Sequence, residues 1–527
     1  LDYVPNLLLL DQVGEFSVVT SNSSATLGGG SSHVVFVSPS GTNQFHGGAY
    51  WQNRNNVFSA NGWFNNRAGV DRPFLNQNQA GAFLGGPIVK DKLLFYMNYE
   101  AFRRRQQTSV NRTIPTADAR RGLFTYRDTQ GAVRKVDILQ AAGVRIDPII
   151  QAMLDQVPGP EKINNFDTGD SAPDLLRNTA GYRFLKRGNR TRDNALAKLD
   201  CNLSPKNVFS ASYLGNRDNL DRPDDDTDND FSTVPKVVNE NWSHLLSLGW
   251  RWSPRTAFTN ELRGGFNLAP GVFDTSEQFG KFVVDGTIFS NPTNLFRRQG
   301  RDTDTYSLSD NATWVRGRHN AQFGFQWQDV RGRPFDDVDI TPTLYLAMGT
   351  GQDGLTRTRL PGIRTADLDA ANEMLATLAG LVDSFTQNFN VTSRTSGYVD
   401  GAPYQRHYRF GTWAWYAQDT WKLRPRLTLT LGLRYELYGA VDERDSLGLL
   451  PVSRNASPVE TLLSNSTLDF AGKSSGRPWH SLDRNNFAPS AGLAWDVFGN
   501  GRTALRAGYG ISYVNDQHVG ALVSNVD

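Results

Sequence analysis

The chain has 527 residues, and its 55 basic against 53 acidic residues leave a net charge of +2. So balanced a charge gives no support for a nucleic-acid-binding surface, and nucleic acid is not expected as a partner. The only cysteine, Cys201, excludes an internal disulfide and a cysteine-rich metal site. No stretch approaches the roughly 18 consecutive apolar residues of a membrane helix, which excludes a helical membrane protein.

Alternating apolar and polar residues predict about thirteen β-strands, which indicates an all-β fold. A strand of about ten residues is also what a tilted crossing of a bilayer requires. In chain order the predicted strands are Gln44–Asn53, Gln77–Val89, Lys92–Arg103, Arg192–Cys201, Asn207–Arg217, Asn239–Trp252, Thr256–Leu268, Thr303–Val315, Asn320–Arg331, Tyr408–Leu423, Arg426–Gly439, Asn486–Phe498 and Arg502–Val514.

The clearest alternation lies in two of the later strands. In Leu427–Leu437 a leucine or tyrosine occupies every second position, whereas Arg434 and Glu436 share the opposite face. In Asn320–Asp329, Ala, Phe or Trp alternates with Gln or Gly. An apolar outer face and a polar inner face are typical of a transmembrane antiparallel β-barrel in the outer membrane of a Gram-negative-type bacterium. Four aromatic residues near strand ends suit a girdle at the lipid headgroups: Trp252, Trp314, Trp421 and Tyr438.

The connections between the predicted strands alternate between short and long. Short periplasmic turns and long extracellular loops are the asymmetry expected of an outer-membrane barrel. Two of the long loops contain helix-compatible pieces, Ile146–Gln156 and Ala366–Ser384, and are therefore expected to be folded caps. The expected extracellular loops are residues 54–76, 104–191, 218–238, 269–302, 332–407 and 440–485.

Six segments along most of the chain have a recognisable family pattern. They are Val13–Gly48, Phe83–Tyr99, Ile114–Phe124, Asn194–Lys206, Tyr416–Tyr435 and Asn486–Tyr513. In sequence and in order these segments resemble TonB-dependent outer-membrane receptors, and most closely the Oar-like subfamily, whose members often carry an N-terminal carboxypeptidase-regulatory-like domain.

This resemblance implies a barrel of 22 strands with an N-terminal plug domain in its lumen. Residues 1–43 would be the C-terminal part of the plug, and residues 44–527 the N-terminal portion of the barrel. The chain is therefore expected to be a fragment. By the same resemblance its partners would be outer-membrane lipid, an inner-membrane energy-coupling complex reached through a segment outside this chain, and an extracellular solute or protein.

Charged and aromatic side chains supply two sets of candidate site residues. The charged set is expected to face the lumen, where it could hold the plug or guide solute, and plug–wall ion pairs are the simpler use: Arg251, Glu261, Arg263, Arg434, Glu436 and Arg506. The aromatic set lies in the loops, where the rings could stack on a ligand or pack within the loop: Trp63, Phe64, Phe74, Tyr182 and Phe184. Paired glycines such as those in Gly28–Gly30 are expected to let plug and wall approach closely.

The strongest candidate metal element is Asp218–Asp230, in which Asp224, Asp226 and Asp228 recur at every second position. Carboxylate clusters suit calcium. The segment lacks the Gly and the closing Glu of a helix-loop-helix calcium site, so a solvated loop is the competing interpretation. No cofactor is otherwise expected.

Three functions are consistent with these observations. The first is energised uptake of a scarce solute such as a glycan, a peptide or a metal chelate. The second is a structural barrel that anchors a surface assembly or docks a partner through its long loops. The third, a soluble enzyme, is disfavoured because the sequence carries no catalytic motif of the nucleophile-elbow or phosphate-loop type, and no catalytic residue is assigned.

Overall fold

A computed structural model describes residues 9–20, 24–30, 32–170, 176–452, 457–463, 467–472, 475–479 and 481–514. Thirteen long strands form one antiparallel wall in which each strand pairs with the strands before and after it in the chain. The prediction of thirteen strands in this order is confirmed. The wall strands are β1 His46–Asn55, β2 Leu75–Val89, β3 Leu93–Pro115, β4 Arg190–Ser204, β5 Asn207–Asp221, β6 Val237–Arg255, β7 Phe258–Thr275, β8 Gln299–Arg316, β9 His319–Asp336, β10 Tyr408–Arg424, β11 Leu427–Tyr438, β12 Phe487–Asp496 and β13 Ala504–Gly510.

The two faces of the wall differ as the alternation predicts. In β11, Leu431 and Leu433 are 57% and 48% exposed, whereas Arg434 and Glu436 are 5% and 2% exposed. Successive strand residues point to opposite faces, so the leucines line an open apolar surface and the charged residues a covered polar one. We call these the outer face and the inner face. Within the part of the wall that the structure describes, β1 and β13 do not pair with each other.

Several strands run further than the alternation predicts, and the longest extensions are at the end with the long connections, which we call the loop end. Strand β3 continues to Pro115, and its last nine residues pair with Thr179–Arg187. The predicted loop 104–191 is therefore wrong at both of its boundaries. Beyond Arg103 both faces of the strand carry polar residues, so the sequence no longer shows the alternation that predicts a strand. Backbone hydrogen bonds nevertheless continue the strand. The predicted loops 218–238, 269–302 and 332–407 are shortened in the same way.

Three of the four aromatic residues predicted for a girdle lie at the opposite end, where connections are short and which we call the turn end. Trp252 and Trp314 lie on the outer face, 40% and 44% exposed, and Trp421 stacks on His319 at 5.3 Å between ring centroids. Tyr438 was wrongly included. It shares the parity of Glu436, to which its hydroxyl donates a 2.6 Å hydrogen bond, so it lies on the inner face.

Long connections at the loop end fold into a cap with its own hydrophobic core. Its buried residues come from three connections, for example Leu154, Phe289 and Leu375. Both predicted helices of the cap are present, but the second ends at Ala379 because Val382–Thr386 is a strand. Asp147 is the N-cap of the first and accepts hydrogen bonds from the backbone of Ile149 and Ile150. The α-helices are α1 Trp63–Arg67, α2 Ile138–Ala142, α3 Pro148–Gln156, α4 Thr365–Ala379 and α5 Pro458–Leu463.

The remaining elements are short. Along the part of the chain that is described, the helices are too short or too polar to cross a membrane. The short strands are Glu15–Val19, His33–Val37, Leu123–Arg127, Val133–Asp137, Thr179–Arg187, Val283–Asp285, Thr343–Leu346, Val382–Thr386, Asn390–Val391, Tyr398–Val399, Tyr404–Gln405, Asp442–Glu443, Gly448–Pro451 and Leu468–Ala471, and the 3₁₀ turns are Leu10–Gln12, Asn56–Phe58, Ala119–Arg121 and Pro160–Lys162.

Candidate functional site

The N-terminal segment, of which the structure describes residues 9–20, 24–30 and 32–38, contacts the inner face of the wall. Gln12 is 1% exposed and donates hydrogen bonds to Asn98, at 2.9 Å, and to Asn194. The hydroxyl of Tyr96 donates to the backbone carbonyl of Asp11 at 2.6 Å. These wall residues are at inner-face positions of β3 and β4, so one end of the segment is fixed by polar contacts.

A second set of contacts joins the segment to β9, β10 and β11. The backbone N–H of Ala25 donates to Gln418 Oε1 at 3.1 Å, and Gln326 Nε2 donates to the carbonyl of Thr26 at 3.1 Å. The backbone N–H of Gly29 donates to Glu436 at 3.2 Å. Side-chain amides and one carboxylate of the wall thus satisfy backbone groups that would otherwise be buried without partners.

The centre of this contact is the ion pair between Arg434 and Glu436. Arg434 Nε donates to Glu436 Oε1 at 2.7 Å, and the two side chains are 6% and 2% exposed. Arg434 also donates to Gln326 Oε1 at 2.8 Å and to the carbonyl of Ala25 at 3.4 Å. A buried ion pair is tolerated only when its remaining hydrogen-bonding groups are satisfied, and here the segment supplies part of that satisfaction.

Glycine allows the close approach of segment and wall at this contact. A Cβ atom at Gly28 would lie 2.1 Å from Arg434 Nε, and one at Gly432 of β11 would lie 2.9 Å from the Cβ of Ala25. A side chain at Gly28 would push the segment away from the wall, whereas one at Gly432 would require a small shift of Ala25. Gly28 is one of the glycines expected to permit this approach, and Gly432 is a further position that the expectation did not include.

The other four charged candidates do not meet the segment through an ion pair or hydrogen bond that the structure records. Arg251 and Glu261 are cross-strand partners of β6 and β7, and Arg263 Nη2 lies 2.8 Å from Glu261 Oε1. Arg506 lines, with Ser24 and Gln418, a cavity of about 400 Å³ on the inner face. The six candidates therefore share a face without forming one site.

The sequence interpretation missed the amide side chains of the contact, Asn98, Asn194, Gln326 and Gln418. All four stand at polar positions of alternating strands, and that alternation was the signal that could have found them.

The aromatic candidates divide into exposed and packed groups. Trp63 and Phe64 of α1 are 65% and 57% exposed and contact each other edge to face at 5.0 Å. Phe74 is also exposed. Tyr182 and Phe184 stack at 4.8 Å within the cap, and Phe184 is buried. Loop packing therefore accounts for Tyr182 and Phe184, while the other three rings remain open to a ligand.

The aspartate-rich segment Asp218–Asp230 is held by protein cations. Asp224 accepts from Arg222 Nε at 2.7 Å, and fully buried Asp228 accepts from Lys186 Nζ at 2.7 Å. Asp226 is exposed. The three carboxylates are thus not gathered around one point, because a turn over residues 224–227 breaks the every-second-position geometry. Calcium in this loop stays a prediction.

Lys186 is the centre of a buried cluster that joins neighbouring connections of the cap. Its ammonium group contacts Asp228 and, at 2.8 Å, Asp230. Lys236 lies 3.1 Å from Asp230 and also pairs with Glu277 of the next connection. We call Lys186, Asp228, Asp230, Lys236 and Glu277 the clasp.

Burial raises the pKa of Asp228, which costs the fold no stability as pH falls, so the response of the cap to acid depends on Asp230. Burial by itself raises the pKa of Asp230, but hydrogen bonds from Lys186 and Ser232 outweigh it and hold the pKa below its usual range. A lowered carboxyl pKa stabilises the fold fully above the unfolded-state pKa of about 3.9, and this stabilisation is lost as pH falls through the folded-state value.

We therefore expect no loss of hydrogen-exchange protection in residues 223–236 between neutral pH and about pH 4, and a loss only in stronger acid. The measurement is exchange followed by mass spectrometry, corrected for intrinsic rates at each pH. Loss of protection already near pH 6 would contradict the lowered pKa of Asp230.

Comparison with known proteins gives a family and several similar folds. The sequence profile described as outer membrane beta barrel domain matches residues 37–526. No protein of curated function matches the sequence. The fold is similar to that of the outer membrane transporter YddB from Escherichia coli, at 11% identity over 96% of this chain and 48% of that chain, with a TM-score of 0.46. The siderophore receptor PirA from Acinetobacter baumannii gives the same identity, coverages and TM-score.

The chain spans about half the length of these solved structures, 48% in both cases. The profile, by contrast, covers nearly the whole chain, and its description agrees with a wall of antiparallel strands that is apolar on its outer face. This outer face meets the lipid of the outer membrane. The chain belongs to the family of outer membrane β-barrel domains.

Proposed function

We propose that the chain is part of a TonB-dependent receptor of the Oar-like subfamily, which takes up a scarce extracellular solute by energised movement of a plug. Residues 1–43 would be the C-terminal part of that plug and residues 44–527 barrel. The observation that carries the proposal is the contact of the N-terminal segment with the inner face through polar groups such as those of Gln12, Ala25 and Gly29.

Polar contacts of this kind suit a segment that has to move. Each hydrogen bond contributes only about 0.5–1.5 kcal/mol net, because water replaces the lost partner when the contact opens. An apolar interface of the same size would instead expose its hydrophobic surface to a water-filled lumen. The segment can therefore leave the wall in steps, provided that an energised partner pulls on it.

The cap is the part that would capture the solute. Its exposed rings, Trp63 and Phe64, offer surfaces for a sugar or another apolar ligand face. A glycan, a peptide and a metal chelate remain the proposed solute classes, and the resemblance to Oar-like receptors favours the first two. The energy would come from an inner-membrane complex acting on a plug segment outside this chain.

A structural barrel that docks a partner is the second candidate. The observation that favours it is the cap itself, which has a packed core drawn from three connections and a 15-residue helix, α4. A folded external surface of this kind provides a rigid interface. In that case movement of residues 9–38 would have no role.

The two candidates separate when the segment is fixed to the wall by a disulfide. We expect Ala25→Cys with Gly432→Cys to cross-link on oxidation, because the Cβ positions are 2.9 Å apart and a small shift brings them into disulfide range. Cys201→Ser removes the competing thiol. Cells carrying the full-length protein are grown in complex medium, and depletion of medium solutes is profiled by mass spectrometry.

If the protein takes up a solute, oxidation of the double-cysteine variant should abolish the depletion of at least one solute from the medium, and so should a protonophore. A reductant should restore that depletion in the double-cysteine variant. The matched control is Ala25→Cys alone with Cys201→Ser, which should behave like the wild type under oxidation. Equal depletion by oxidised and reduced pair, with the cross-link verified on a gel, would exclude energised uptake and leave the docking role.

A further inference from the structure

Three ligand-type side chains, His407, Glu443 and Asp445, lie together at the loop end, away from the N-terminal segment and the clasp. His407 is the residue before β10, so it ends the connection from β9. Glu443 pairs with Tyr408 at the start of β10, and Asp445 follows in the connection between β11 and β12. The cluster therefore joins two long connections. Its hydrogen-bonded residues His407 and Glu443 are 36 residues apart in the chain.

The ligand atoms of this cluster all lie within 4.8 Å of one another. His407 Nδ1 is 2.6 Å from Asp445 Oδ2, and the backbone N–H of His407 donates to Glu443 Oε1 at 2.9 Å. A zinc ion holds nitrogen and oxygen ligands at about 2.0–2.2 Å, so any two of its ligand atoms lie within about 4.4 Å. Small rotations of the half-exposed His407 and Asp445 side chains would bring all three atoms within that limit.

The charge of the cluster is the second argument. Glu443 is 0% exposed, and its carboxylate accepts from the backbone N–H groups of His407 and, at 2.6 Å, Leu447. Within the ranges that the structure describes, neither Glu443 nor Asp445 forms an ion pair with a lysine or arginine. Two carboxylates beside one imidazole carry two negative charges when the imidazole is neutral, and a buried carboxylate needs compensation.

We propose that His407, Glu443 and Asp445 bind a divalent transition-metal ion, with zinc as the best match, and that the ion ties the two connections together. One imidazole nitrogen and two carboxylate oxygens form a mixed donor set that zinc accepts in tetrahedral geometry. The two backbone N–H donors fix Glu443 as an oriented ligand. The side chains of His407 and Asp445 are 37% and 47% exposed, which leaves the ion a path from solvent and a fourth position for water.

The site is tested by zinc titration of the full-length protein in detergent, after chelator treatment and desalting, with isothermal calorimetry as the readout. We expect one saturable site in the wild type. His407→Ala and Asp445→Asn should each weaken zinc binding about tenfold or more, because each removes a ligand. Asp445 is exposed, so its conservative substitution keeps the fold even if His407→Ala disturbs it.

A matched control lies at the opposite end of the wall. His319 Nδ1 contacts Asp419 Oδ2 at 2.6 Å, the same separation as in the proposed site, but no third ligand-type side chain joins this pair among the described residues. His319→Ala should therefore bind zinc like the wild type. Absence of a saturable site in the wild type, or unchanged zinc binding in Asp445→Asn, would overturn the proposal, whatever the outcome of the cross-linking experiment on transport.

Discussion

Replacing Lys186 with methionine is expected to open the clasp and loosen the cap. The ammonium group of Lys186 is fully buried, and it contacts Asp228 at 2.7 Å and Asp230 at 2.8 Å. Methionine fills a similar volume without the charge, so Asp228 keeps only neutral donors such as Asn294 Nδ2, at 2.9 Å. Leaving a buried charge uncompensated costs about 3–5 kcal/mol.

The expected result is faster hydrogen exchange in residues 223–236 and in the contacting residues near Asn294, with β5 and β6 unchanged. A matched control is Arg67→Met, which breaks the exposed pair of Arg67 and Asp167, whose side chains are 50% and 48% exposed. That pair should contribute only about 0–1 kcal/mol. Exchange in Lys186→Met as slow as in the control would mean that the clasp does not stabilise the cap.

Replacing Arg434 with methionine is expected to release residues 24–30 from the inner face. The change leaves Glu436, which is 2% exposed, without its cation and removes the hydrogen bonds of Arg434 to Gln326 and to Ala25. The cost is again about 3–5 kcal/mol, because a buried carboxylate loses its partner. Movement of the segment that admits water to Glu436 relieves this cost, so detachment of the segment is the expected response.

The measurement is hydrogen exchange of the peptide that contains residues 24–30, together with that of β11. The control uses another pair of this kind in the wall, Glu261 and Arg263, which are also two residues apart in one strand and 2.8 Å apart. Their side chains are 36% and 58% exposed, so Arg263→Met should change exchange little. Equal effects of the two substitutions on hydrogen exchange would show that burial of the Arg434–Glu436 pair under the segment does not strengthen that pair.

The strands could be predicted from the sequence wherever one face meets lipid and the other does not. Leu427–Tyr438 is recovered to within a residue because leucine or tyrosine alternates with polar residues or glycine along nearly its whole length. The residues after Arg103 in β3 are missed because neither face is apolar there, and only pairing with a distant segment keeps them extended. Tyr438 is misplaced for a different reason. An aromatic residue near a strand end suggests a girdle, but Tyr438 is an even number of residues from Glu436 and therefore lies on the inner face.

The candidate site was predictable only in part. Alternation puts Arg251 and Arg434 on the same inner face, but it cannot say which of them the N-terminal segment covers, because that depends on the path of the segment in space. The same limit applies to the aspartates. Their spacing suggested a metal, whereas the partner of Asp228 is Lys186, 42 residues earlier in the chain.

The core of the cap constrains the order in which the protein can fold. Ile114 and Leu378 belong to the same buried cluster, although about half of the 527-residue chain lies between them. Contacts between such distant residues form only after the intervening hairpins have closed their loops. Until the connection that carries α4 has been inserted, the apolar side chains of the earlier connections face water. The external surface of this protein is therefore expected to be its last part to assemble.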